Sequence, residues 1–121
     1  MPIRYNIDHS EGLVEVFLDG EISAKEATDF FDLLETEKAV PYRKLIDATN
    51  TPAKIDNDIL AIVGTRMARN QSLAAFAVVV PASGPLDGLA RLFLLIVEAV
   101  SSRAQVFRSI EEARQWLAAR K

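Results

Sequence analysis

The run LAAFAVVVP, residues 73–81, constrains this chain more than any other stretch. It is apolar throughout, ends in three valines and is stopped by Pro81. A strand with one wet face alternates apolar and polar residues, so a strand apolar on both faces must be covered on both. Such a strand belongs at the centre of a sheet that carries helices. A chain of 121 residues has room for one core of this kind, so a single domain over 1–121 is expected.

The flanking sequence supplies the other elements. Residues 1–9 alternate, with Ile3, Tyr5 and Ile7 on one face and Arg4, Asn6 and Asp8 on the other, which reads as a half-buried strand. HSEG makes a turn, and LVEVFLDGEI returns as a second strand. Ser23 caps a first helix and Glu26 completes a capping box, with Ala27, Phe30, Phe31 and Leu34 as the buried stripe and Pro41 marking the exit. YRKLIDA forms a third strand that stops at Asp47, and residues 55–70 a second helix. A third helix, 89–102, follows the small-residue loop after Pro81. The strand AQVFR precedes a final helix capped by Ser109 and Glu112, with Ile110, Ala113 and Leu117 facing its core and Trp116 at the border. The expected order is ββαβαβαβα: an α/β fold with a mixed, largely parallel sheet and four helices.

Composition narrows the chemistry. There is no cysteine, which removes disulfides, thiolate metal sites and cysteine nucleophiles. Fourteen basic residues against 17 acidic ones, a net charge of -3, argue against electrostatic nucleic-acid binding. The opening MPIRYNIDHS lacks the pattern of a secretory leader, and the longest apolar run carries Arg91 and Glu98 and is too short to span a bilayer. A soluble, cytoplasmic protein is expected. His9, the one histidine, falls in the hairpin turn, where solvation is the ordinary state and a role as base for Ser10 is not expected. With no other acid–base constellation in sight, neither catalytic residues nor a cofactor are assigned.

Four features could carry binding. Asp56, Asn57 and Asp58 stand where the second helix begins, and their oxygens suit its unpaired amides. Capping explains all three; a permanently charged docking surface, with Asp47 nearby, is the alternative. Few oxygen ligands besides Asp47 lie in that span, so no metal site is expected. Arg66 falls inside the apolar stripe of Ile59, Ile62, Val63 and Met67 and must either snorkel to the helix end or pair with an acceptor, an anion or a carboxylate. The loop PASGPLDG, with Ser83 and Gly84, joins a strand end to a helix start, a place where open sheets bind ligands, but it has no phosphate-loop spacing and Asp87 would repel phosphate. Gly88 there is equally explained by close packing. In the third helix Asp87, Arg91, Glu98 and Ser102 cluster within about 60° of the helical wheel, leaving the rest apolar. Leu92 and Leu95 on one side and Leu94 on the other need cover from the chain's own helices, from a homodimer mate or from a lipid-like ligand.

The strand order, the D-x-D helix entrance, Tyr5-Asn6-Ile7-Asp8, Gly20-Glu21-Ile22-Ser23 and Gly88-Leu89-Ala90-Arg91-Leu92-Phe93 together resemble the SpoIIAA-like or STAS domains, in particular the small stand-alone bacterial group called STAS/SEC14-like. The resemblance covers almost the whole chain. It implies a helix-backed sheet and no established enzymatic activity. In the anti-sigma-factor antagonists among these domains the usual pattern is D-S-(S/T)-G, whose first serine accepts a phosphate; aligned on Asp56, that position is Asn57, followed by Asp58 and Ile59. A carboxamide cannot accept a phosphate from a serine kinase. The expected function is therefore a non-catalytic, dimeric module that binds a protein partner without a serine switch. The alternative is a carrier of a small apolar or anionic ligand between the second and third helices, with Arg66 or the Ser83–Gly84 loop taking the polar end.

Overall fold

The apolar run becomes a strand buried on both faces. The computed structural model describes residues 3–50, 58, 59, 61, 62, 65, 66, 75–80 and 104–120. Within these, Phe76–Val79 form a strand whose every residue is buried. Five strands make one sheet: β1 (Ile3–Asp8), β2 (Leu13–Asp19), β3 (Arg43–Asn50), β4 (Phe76–Val79) and β5 (Ala104–Phe107). They lie in the order β1-β2-β3-β4-β5. β1 runs antiparallel to β2, and every later pair is parallel. The mixed, largely parallel α/β sheet expected from the sequence is present.

Two helices are described over their full length, α1 (Ala24–Thr36) and α2 (Ile110–Ala118). Asp58, Ile59, Ala61, Ile62, Thr65 and Arg66 are helical as well, within the span expected for the second of four helices. The expected third helix lies outside the described residues.

Strand alternation sends one set of side chains to each face. On one face Val14 and Val16 are buried with Leu34 of α1 and Ala39, and Ile3, Ile7, Phe30, Phe31 and Ile46 pack around them. On the other, Leu45, Ala77 and Val79 meet Ala113 and Leu117 of α2, with Phe107, Ile110 and Trp116 at the margin. The stripes read from the sequence for these two helices are the ones that meet the sheet. Trp116 takes its border place with its ring 5.6 Å from that of Phe107 and under the Arg120 guanidinium.

Three expectations change. β3 does not stop at Asp47 but continues to Asn50, because a register shift beyond Phe17 lets Asp19 pair with Asn50 and Gly20 donate to the Asn50 carbonyl. Tyr5, expected on a buried face, is 47% exposed: it sits on the outermost strand, where α1 covers only part of the sheet. At α2 only the serine half of the expected capping box forms, Ser109 accepting from the Glu112 amide at 3.4 Å. α1 has both halves, Ser23 accepting from the Glu26 amide and Glu26 from the Ser23 amide.

Candidate functional site

Three charged residues are buried among those described, Arg43, Lys44 and Arg66, and each meets acceptors of its own chain. Arg43 and Lys44 are consecutive in β3, so the pleat sends them to opposite faces. On the α2 face the Arg43 guanidinium donates to the carbonyls of Leu117 and Glu11, both at 2.7 Å. It thereby ties the end of α2 to the hairpin turn, at a helix terminus where carbonyls lack partners and a cation is favoured. On the α1 face the Lys44 ammonium donates to the carbonyls of Val40 and Tyr42. Burial pushes its pKa down to about 8.

Arg66 pairs with acceptors, one of the two courses open to an arginine in an apolar stripe. It donates to Asp32 at 2.9 Å and Glu35 at 3.1 Å, and its guanidinium carbon lies 5.4 Å from the centre of the Phe31 ring. All three partners belong to α1, so Arg66 fastens its own helical turn to α1. Its Nε is buried without a hydrogen-bond partner. Asp32 and Glu35 lie in the second half of α1, which leads back to the start of β3. Arg66 is thus placed toward the end of the sheet where β3 begins, away from the β3 exit beside which the acidic entrance was expected.

Asp47 lies within β3, half-buried, and its Oδ1 accepts from the Thr49 amide and hydroxyl at 3.0 and 2.7 Å. Asp58 is helical and exposed. No contact between Asp47, Asp58 and Arg66 is present among the described residues. The other candidates, Asp56, Asn57, Ser83, Gly84, Arg91, Leu92, Leu94 and Leu95, lie outside the described residues, as do Val63 and Met67 of the Arg66 stripe. Ile59 is buried and Ile62 half-buried, in keeping with that stripe.

His9 is exposed in the hairpin turn, yet it has neighbours: its Nδ1 lies 2.8 Å from the Tyr42 hydroxyl and its Nε2 3.5 Å from Glu37. The preceding Asp8 accepts from the Ser10 hydroxyl and from the amides of Ser10 and Glu11; the hydroxyl bond leads in holding its carboxyl below the usual range. Among the described residues no group of three or more histidine, aspartate or glutamate side chains could hold a metal ion, and no helix is long and apolar enough to cross a membrane.

Sequence reasoning passed over Arg43 and Lys44. The signal was present, because two adjacent charges inside a strand next to a fully covered one cannot both reach water.

No family model matches the chain, and no curated protein does. Solved structures do match. An uncharacterized protein of the DUF3478 family with a SpoIIAA-like fold, from Shewanella loihica PV-4, is 17% identical, with a TM-score of 0.62 over 95% of this chain and 91% of its own. The protein TM1081, solved by NMR, is 15% identical, with a TM-score of 0.61 over 94% of this chain and 86% of its own. At these identities the likeness establishes the fold: the chain has a SpoIIAA-like α/β fold, and the resemblance read from its motifs holds at that level.

Proposed function

We propose that this chain is a non-catalytic, cytoplasmic interaction module of the STAS kind, acting by binding a protein partner and by self-association. The observation that carries this reading is where the charges go. Arg43, Lys44 and Arg66 direct their hydrogen bonds to carbonyls or carboxylates of their own fold, which suits scaffold charges rather than groups held ready for substrate. The exposed Asp58 is left to face a partner, with Asp56 and Asn57 beside it in sequence. With an asparagine at the phosphoacceptor position, docking there is constitutive rather than switched. The apolar excess of residues 89–102, including Leu92, Leu94 and Leu95, offers a further contact surface.

Native mass spectrometry of the freshly purified protein tests this reading. A dimer of bare chains is the expected species. A bound mass that survives purification and leaves on denaturation would replace the reading with carriage of a small apolar or anionic ligand. The Asp58→Lys variant, once a partner is found, is expected to lose affinity without a change in melting temperature.

A further inference from the structure

Among the described residues no strand lies beside the outer edge of β1, and its residues fit a second copy of themselves. β1 ends the sheet, with Arg4, Tyr5 and Asn6 exposed. Open edges in soluble proteins are commonly blunted by a charge that repels a second strand. Here the charges attract instead. Two β1 strands can meet antiparallel about a two-fold axis perpendicular to the sheet, which keeps both copies of α1 on one side. Residues facing one another must then share a face, so the sum of their numbers is even. Centred on Asn6, this places each Arg4 opposite the Asp8 of the other copy and each Tyr5 opposite Ile7.

Each group is prepared for that role. Arg4 has no carboxylate partner among the described residues; its one contact there is a distant stack on the Phe17 ring, 5.9 Å from the guanidinium carbon to the ring centre. Asp8 is fixed by Ser10 and Glu11, all three bonds falling on Oδ1, which leaves Oδ2 for a partner. Tyr5 is the exposed large hydrophobic residue among those described, and its ring stands 5.9 Å from that of Phe30, so the apolar flank beside the edge extends onto α1. A symmetric contact repeats each pair, giving two ion pairs and two apolar pairs from one short strand.

We propose that a second copy of this chain docks along β1, antiparallel and centred on Asn6, making a continuous ten-stranded sheet with paired Arg4 and Asp8 side chains. The chain has no cysteine, so Asn6→Cys introduces the sole thiol. On the axis, its Cα would stand about 4.5–5.5 Å from its counterpart, within disulfide reach. Mild oxidation of the full-length Asn6→Cys protein is expected to give a covalent dimer. Arg4→Glu faces each Asp8 with a like charge and is expected to weaken the dimer about tenfold or more in sedimentation equilibrium. Because Arg4 is exposed, the far-UV circular dichroism spectrum of Arg4→Glu is expected to stay unchanged, which separates loss of the dimer from loss of the fold. The proposal is overturned if the wild type sediments as a monomer, if Arg4→Glu leaves the dimer intact, or if a sole cysteine placed at Tyr5 cross-links while one at Asn6 does not.

Discussion

Lys44 is the residue whose chemistry is most displaced by the fold. An ammonium held by two carbonyls on a covered face of the sheet is satisfied but poorly hydrated, and burial lowers its pKa from 10.5 to about 8. The unfolded chain keeps its lysine proton up to the ordinary value. Between about pH 8 and 10.5 it therefore binds the extra proton, and stability rises with pH as the folded lysine becomes neutral. Below that window both states are charged and the desolvation penalty is felt in full. The contribution gained across the window is about 3 kcal/mol. Thermal melts from pH 7.5 to 9.5 are expected to rise relative to those of Lys44→Met, which lacks the titrating group; parallel curves would exclude the buried ammonium. Arg66 acts at the same scale. Arg66→Met keeps much of the stem's packing but loses two charge-assisted bonds, and an unfolding titration is expected to show a loss of about 1–3 kcal/mol. Asp32 is well exposed, which favours the lower end. That Arg66 would either reach the helix end or pair with an acceptor was legible, since an arginine in an apolar stripe must do one or the other. That the acceptors were Asp32 and Glu35 was not, because the choice depends on how two helices lie side by side on the sheet.

The elements show why local rules served so well and where they stopped. The α1 start was readable because a capping box is a local device: Ser23 and Glu26 satisfy two amides reciprocally whatever the rest of the chain does. Ser23→Ala is expected to lower stability by about 1 kcal/mol in thermal unfolding, with Ser23→Gly milder. The other end of α1 is equally local. Lys38 takes a left-handed φ of 58°, and the Ala39 amide returns to the Leu34 carbonyl, closing the helix before Pro41. The extension of β3 to Asn50 was not local. It depends on Gly20, with a φ of 80°, turning the chain after β2 so that its amide reaches the Asn50 carbonyl. Gly20→Ala meets no neighbouring atom but forces a side chain into that conformation. A destabilisation of about 1 kcal/mol is expected from denaturant unfolding.

For the whole molecule, the run at 73–81 carried the architecture: a strand without a polar face requires cover on both sides, and α2 covers it on one face while α1 covers the neighbouring strands on the other. Leu117 is the centre of the second cover, and Leu117→Ala is expected to cost about 2–5 kcal/mol in equilibrium unfolding, leaving a cavity against Leu45 and Val79. The candidate site was less legible than the fold. Asp47 was expected at a strand end and lies within a strand, and Arg66, read as a candidate for an anion or a carboxylate, directs its hydrogen bonds to Asp32 and Glu35 of α1. Both outcomes depend on how the elements meet, and the sequence gives only their order. The strand order has a consequence for biosynthesis. Every strand pairs with the strand made just before it, so a chain leaving the ribosome can add each to a growing edge without waiting for later sequence. The exception is α2, whose last turn must travel back to β3, where Arg43 grips the Leu117 carbonyl across 74 positions. Until α2 has been made, Leu45, Ala77 and Val79 lack that cover, and the nascent sheet presents to chaperones a face that the folded protein buries.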